Sequence, residues 1–255
     1  MDDMRPAPTT HRQPFDASAM RLHGPAQQDE QPETSIYEEL LPLARARILE
    51  LGCGRAEATR AIASRHPDAR ITAMEVDRVQ HEINLAHRDL PNVAFAEGGA
   101  QAIPAPDASF DIVLMLKSLH HVPHDLLDAA LTEIHRVLVA GGVACIAEPV
   151  FDGAYNDIIR IFHDEERVRH AAFDALHRAV AEKRFELVAE RFFLAPVAFA
   201  SFDDFERRVI GVSHTRHCLS PAQLAQVRTA FEAHLGPDGA RFRQPMRVDL
   251  LRKLP

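Results

Sequence analysis

The stretch Ile48-Leu49-Glu50-Leu51-Gly52-Cys53-Gly54 constrains the fold of this chain more than any other. Ile48, Leu49 and Leu51 form a short apolar run of the kind that is buried on both faces of a parallel sheet. Gly52 and Gly54 follow, and a glycine pair lets the backbone turn sharply and approach a ligand without a Cβ in the way. Ala56 to Ala63 then reads as a helix. Strand, glycine turn and helix together predict a nucleotide-type cradle at a sheet edge.

With 255 residues, 46% of them hydrophobic, the chain is long enough for one large α/β domain with insertions. The formal charge of −8, with no long Lys/Arg run, argues against nucleic acid and an anionic membrane surface as partners. Cys53, Cys145 and Cys218 make no C-x-x-C pair, which fits a reducing cytoplasm. No apolar run reaches membrane-spanning length, and the polar, proline-bearing start lacks a signal-peptide core.

Residues 1 to about 14 read as disordered, Asp16 to His23 as a short helix, and Gln27 to Thr34 as a polar linker. Thr34 or Ser35 is expected to cap a helix through Leu43. Strands are expected at 71–76, 93–96, 110–116 and 143–148, with helices between them and an amphipathic helix over Asp125–Leu138 stopped by Gly141-Gly142. This alternation predicts an α/β fold with a doubly wound, mostly parallel, seven-stranded sheet whose last strand is antiparallel. Beyond it lie helices near 154–183, a long strand Phe185–Phe199, helices near 202–211 and 220–235, and a final strand Met246–Leu251. Residues 1–34 are thus expected to be a flexible N-terminus and lid. Residues 35–255 are expected to form a single domain with cap helices at about 154–183 and 202–235.

Five segments in this order resemble the class I S-adenosylmethionine-dependent methyltransferases, small-molecule type. Ile48–Gly54 resembles the family's first motif, and Glu75 its acidic end of the second strand. Ile103-Pro104-Ala105-Pro106-Asp107-Ala108-Ser109-Phe110-Asp111 resembles the lead into the fourth strand, and Leu119-His120-His121-Val122 its exit. Glu133-Ile134-His135-Arg136-Val137-Leu138 with Gly141-Gly142 resembles the approach to the fifth. The resemblance is continuous over 48–148. It implies S-adenosylmethionine as cofactor and S-adenosylhomocysteine as product, held by Glu50, Gly52, Cys53, Gly54, Glu75, Val76, Gly99, Ala100, Gln101, Leu116 and Lys117. Glu50 would attract the cationic amino group, Glu75 would accept the ribose hydroxyls, and 99–101 would carry the adenine. Two departures stand out: Gly99 replaces a frequent Asp, and Ala56 replaces the usual third glycine.

Each residue also has a plainer reading. One of His120 and His121 is expected to satisfy backbone groups and the other to face a methyl acceptor. Glu148 either joins them as a general base or makes a strand-end hydrogen bond. Tyr37 either closes over the cofactor or packs against the sheet. Phe15, Tyr37, His121 and Phe151 are the expected acceptor contacts. His163, His170, His214 and His217 read as solvated faces, and no metal is expected. The phrase 15–24 with the long late insert is also similar to bacterial N-methyltransferases that make toxoflavin-type azapteridines, which implies a ring nitrogen of a heteroaromatic small molecule as acceptor. Rival readings are an O- or C-methyltransferase, a nicotinamide-dependent oxidoreductase (which prefers glycine where Glu57 stands) and a cofactor-binding protein without catalysis. A monomer or homodimer is expected.

Overall fold

The computed structural model describes residues 17–87, 89–212, 215 and 217–254. Phe15 and His214 lie outside them. A single 3-10 turn, Ala17–Ala19, takes the place of the first expected helix. α1 (Glu33–Leu40) has Pro32 at its N-cap without a side-chain cap; Ser35 Oγ instead donates to the Pro32 carbonyl at 2.7 Å. β1 (Arg47–Leu51), α2 (Glu57–Arg65), β2 (Arg70–Glu75), α3 (Arg78–Ala86), β3 (Val93–Glu97) and β4 (Phe110–Leu116) follow. Next come α4 (Leu127–Val137), β5 (Leu138–Pro149), α5 (Ala154–Ile159) and α6 (Glu166–Ala181). The chain closes with β6 (Phe185–Phe199), α7 (Phe202–Phe205), α8 (Pro221–Glu232), β7 (Leu235–Gly236) and β8 (Gly239–Lys253).

The sheet runs β3-β2-β1-β4-β5-β8-β6, with β7 appended to β8, so there are eight strands where seven were expected. The eighth is a two-residue hairpin arm, made possible by Gly239 at φ +92° opposite Gly236. β8 runs antiparallel to both neighbours, and the other long strands run together. The strand order reverses between β1 and β4, which opens a crevice at their carboxyl ends.

β5 starts at Leu138, not Val143, so Gly141 and Gly142 lie inside its entrance. The β4–β5 register shifts between Phe110 and Ile112, and Gly141 at φ +76° takes up the extra residues as a bulge. β8 is longer than its apolar stretch because Ala240 and Phe242 are buried while Arg241 and Arg243 point outward.

Alternating strand residues feed two cores. Leu49, Val113, Met115 and Ile146 pack under α4 and α6. Ile48, Ile112, Leu114 and Cys145 pack on the opposite face with Ile36, Tyr37 and Ile62. A third core joins Ile158, Phe199, Phe202, Phe205, Phe231 and Phe242 beyond the end of the sheet. Residues 17–31 are tied to β6: Leu194 accepts from Gln31 N and donates to Asp29 O, and Arg21 N donates to Glu190. Among the described residues no helix is long and apolar enough to cross a membrane.

Candidate active site

The apolar run of β1 delivers the chain into the crevice, and the glycines turn it there. Gly52 sits at φ +70°, and a Cβ on it would lie 2.7 Å from Ser118 Cβ, so glycine is required on both counts. Gly52 N and Cys53 N both donate to Met74 O at 2.9 Å, locking the turn to β2. Ala56, in the place of the third glycine, adopts φ 56°, ψ 32°, a left-handed conformation that costs a non-glycine residue about 1–2 kcal/mol. That strain is held by complete burial against Cys53 and Ala73.

Glu75 closes the second strand over this turn. Its Oε2 accepts from Gly54 N at 2.7 Å, and its Oε1 from Val76 N at 2.8 Å and Asp77 N at 2.9 Å. Three backbone donors therefore orient the carboxylate at the crevice, with acceptor capacity to spare for a hydroxyl. Asn84, on α3, donates to Gly54 O at 2.7 Å and braces the turn from behind.

Glu50 is 2% exposed. Burial pushes its carboxyl up to about 7, opposed by the Thr59 hydroxyl that donates to it and by the Lys117 ammonium. A buried carboxylate held near neutrality at a cavity wall is a receptor for a cation. Lys117 leaves β4 at φ 59°, and its Nζ contacts both Glu33 oxygens at 2.6 and 2.7 Å. Ser118 Oγ donates to Leu51 O at 2.8 Å and ties the exits of β1 and β4 together.

These groups line one cavity of about 1400 Å³. Glu50, Gly52, Cys53, Gly54, Glu75, Val76, Gly99, Ala100, Gln101, Leu116 and Lys117, the eleven residues expected at the cofactor, all line it. The Gln101 amide lies against Gly99, where a Cβ would meet Oε1 at 2.6 Å. Val76, Val79 and Ile83 are exposed on the rim, at 61%, 57% and 48%, an apolar face suited to a flat ring. Gly211, Val212 and Thr215 reach the same cavity from the late segment. A buried carboxylate for an ammonium, a three-point-held carboxylate for hydroxyls, and a turn cleared of Cβ atoms fit an amino-acid-bearing nucleoside.

The expected catalytic residues separate. His121 lines the cavity, whereas His120 and Glu148 do not. His120 Nδ1 is hydrogen-bonded to Glu148 Oε2, and Glu148 Oε1 accepts from Leu119 N at 2.9 Å. The His120 side chain is 3% exposed and Glu148 4%, so both are buried partners of each other rather than groups at the acceptor. Burial works against charge on His120, but Glu148 and Glu165 outweigh it and raise its pKa to about 9. An imidazole so held is a poor proton acceptor near neutrality. Tyr37 is also off the cavity: it is 1% exposed, packs in the sheet core and donates to Glu33 Oε2 at 3.0 Å. Phe151 sits beyond β5 under the guanidinium groups of Arg160 and Arg169, at 5.0 and 5.7 Å, away from the cavity lining.

Glu33, Asn84 and Ser118 were not singled out by sequence reading. A buried Asn on a helix face leaves no periodicity signal, and the other two act across the fold.

Residues 48–142 match the family described as Methyltransferase domain. This segment is a methyltransferase domain of the class I S-adenosylmethionine-dependent kind. It is 36% identical over 98 residues to a fatty-acid O-methyltransferase of Mycolicibacterium smegmatis, covering 38% of this chain and 34% of that one. It is 35% identical over 137 residues to the O-methyltransferase rstn1 of Aspergillus nomiae, covering 51% and 59%. The chain thus spans between a third and three-fifths of the length of these curated relatives. A Bacillus halodurans protein of known structure superposes with a TM-score of 0.61 at 17% identity, over 88% of this chain and 99% of that one, and shares the methyltransferase fold. The methyltransferase signature ends within β5. The helices and strands that follow lie outside the matched segment.

Proposed function

We propose that this chain transfers a methyl group from S-adenosylmethionine to an oxygen of a small molecule. The observation that carries the reading is the convergence of all eleven motif-derived residues on one cavity, the buried Glu50 carboxyl among them. When bound, the cofactor supplies an already activated sulfonium methyl. Glu50 binds its ammonium end, Glu75 its ribose, and Gly99 to Gln101 with the Val76 face its adenine. Leu116 and Lys117 line the wall beside the methionine portion. The protein's remaining task is to orient the acceptor and exclude water, which can supply on the order of 7–11 kcal/mol of barrier reduction. His121 is the histidine of the β4 exit that lines the cavity, and it takes the acceptor's proton. Gly211, Val212 and Thr215 wall the acceptor side, and the aromatic core behind them sets the size of what enters.

The relatives described above support oxygen as the acceptor atom through their names. The similarity of 15–24 to azapteridine N-methyltransferases favours a second reading, a ring nitrogen of a toxoflavin-type pyrimidotriazine precursor. Buried Cys53 and Cys145, both free, suit a reducing compartment such as the cytoplasm. The test is incubation with methyl-labelled S-adenosylmethionine and small-molecule extracts. Label is expected in an oxygen-linked methyl of a small product; label on a ring nitrogen selects the second reading. Saturable cofactor binding with no transfer in any extract would make the chain a binding protein.

A further inference from the structure

Glu165, just ahead of α6, has its two oxygens committed differently. Oε2 accepts from Arg169 Nε at 3.1 Å and Nη2 at 2.5 Å. Arg169 is itself buried and bonded to Asn156 Oδ1 at 3.1 Å and Val150 O at 3.4 Å. Oε1 is left facing His120 Nε2 at 3.6 Å and His163 Nε2 at 3.0 Å.

His120 arrives at the same point already oriented. With Nδ1 bonded to Glu148, the ring directs Nε2 toward Glu165, and a metal ion bound there would displace the Nε2 proton. Nε2 and the carboxylate oxygen then face each other at 3.6 Å, beyond a direct hydrogen bond. Something cationic belongs between them. His121 supplies a third donor: one ligand atom each from His120, His121 and Glu165 lies within 4.8 Å of the others. Ligands of a tetrahedral ion bound at roughly 2.0–2.2 Å stand about 3.3–3.6 Å apart, so small side-chain adjustments suffice.

We propose that His120, His121 and Glu165 form a binding site for a divalent cation of the zinc class, with Glu148 and Arg169 orienting the ligands from behind. Two imidazoles and one carboxylate are the donor set that borderline metals prefer, and three protein ligands leave a position open. Magnesium and calcium, which seek oxygen, are disfavoured. Because His121 also lines the main cavity, the ion sits at that cavity's wall, where its open position can take an oxygen. With the ion bound, its charge replaces the His121 imidazole as the group that acidifies a hydroxyl. The competing occupant of the gap is a proton, giving an imidazolium between two carboxylates.

The experiment uses the untagged full chain, stripped with a chelator. Zn²⁺ is titrated calorimetrically and counted by elemental analysis, and Co²⁺ is followed by visible absorption. One tight equivalent per chain is expected, with the d–d bands of a four- or five-coordinate cobalt site. Glu165→Gln and His121→Ala are each expected to weaken binding by about tenfold or more, and His163→Ala is expected to retain it. His121 is exposed but its ring packs on His120 at 4.1 Å, so circular dichroism checks the fold of its variant. S-adenosylhomocysteine affinity measured on the same samples tests the methyl-transfer reading separately. Absence of a tight equivalent, or a tight equivalent that both ligand variants retain, would overturn the metal site even if the nucleoside binds.

Discussion

The cradle at the carboxyl ends of β1, β2 and β4 and the aromatic cap beyond β5 are built by different rules. In the cradle, function is carried by backbone: Gly52 at φ +70°, three amides on Glu75, two amides on Met74 O. Such geometry demands particular residues at particular spacings, so it leaves a motif. In the cap, function is carried by volume: Phe199, Phe202, Phe205, Phe231 and Phe242 fill a core that many sequences of similar bulk would fill. On the proposed function, the cradle would fix the donor and the cap would be free to vary with the acceptor.

The comparison breaks most sharply at Phe231, which is fully buried in the cap core. Phe231→Ala is expected to cost about 3–5 kcal/mol, read by thermal or denaturant unfolding. S-adenosylhomocysteine affinity should stay within about threefold at temperatures where the variant is folded. A large affinity loss there would show that cap and cradle are one unit.

Glu50 sharpens the cradle side through pH. Its carboxyl sits at about 7 when folded, against 4.5 for an ordinary glutamic acid. Between those values the folded chain holds more protons than the unfolded one, so stability falls as pH rises through that window. Glu50→Gln removes this fall. The ligand-free variant is expected to gain on the order of 3 kcal/mol over wild type at pH 8 and little at pH 4. It is also expected to lose about tenfold in affinity for the ammonium-bearing ligand. A variant less stable at pH 8 would mean that the ionised carboxylate is already compensated.

Gly52→Val places a branched Cβ at positive φ and against Ser118. Affinity for S-adenosylhomocysteine is expected to fall about 100-fold or more, by calorimetry on folded protein. The smallest effect is at Asn84, whose amide braces Gly54 O. Asn84→Ala is expected to cost about 1–2 kcal/mol in unfolding free energy and to weaken the ligand severalfold, while leaving the cap's aromatic spectrum unchanged.

The same contrast explains what was legible beforehand. The glycine turn, Glu75 and the β4 exit were visible because each is a local residue requirement. Phe185–Phe199 was bounded correctly as a strand because the stretch is rich in Val and Phe. The start of β5 was misplaced because Gly141 and Gly142 read as a helix stop, while the bulge they serve depends on β4. The pairing of His120 with Glu148 and Glu165 was not visible, since the partners lie 28 and 45 positions away on other elements. Tyr37 carried two readings in sequence, and burial chose packing.

The central claim, that this cradle is built for a sulfonium nucleoside, is tested most directly by one calorimetric comparison. S-adenosylhomocysteine and NAD are titrated separately into the wild-type chain near pH 7.5. The account predicts one saturable site for S-adenosylhomocysteine and none for NAD. Saturable NAD binding without S-adenosylhomocysteine binding would contradict it.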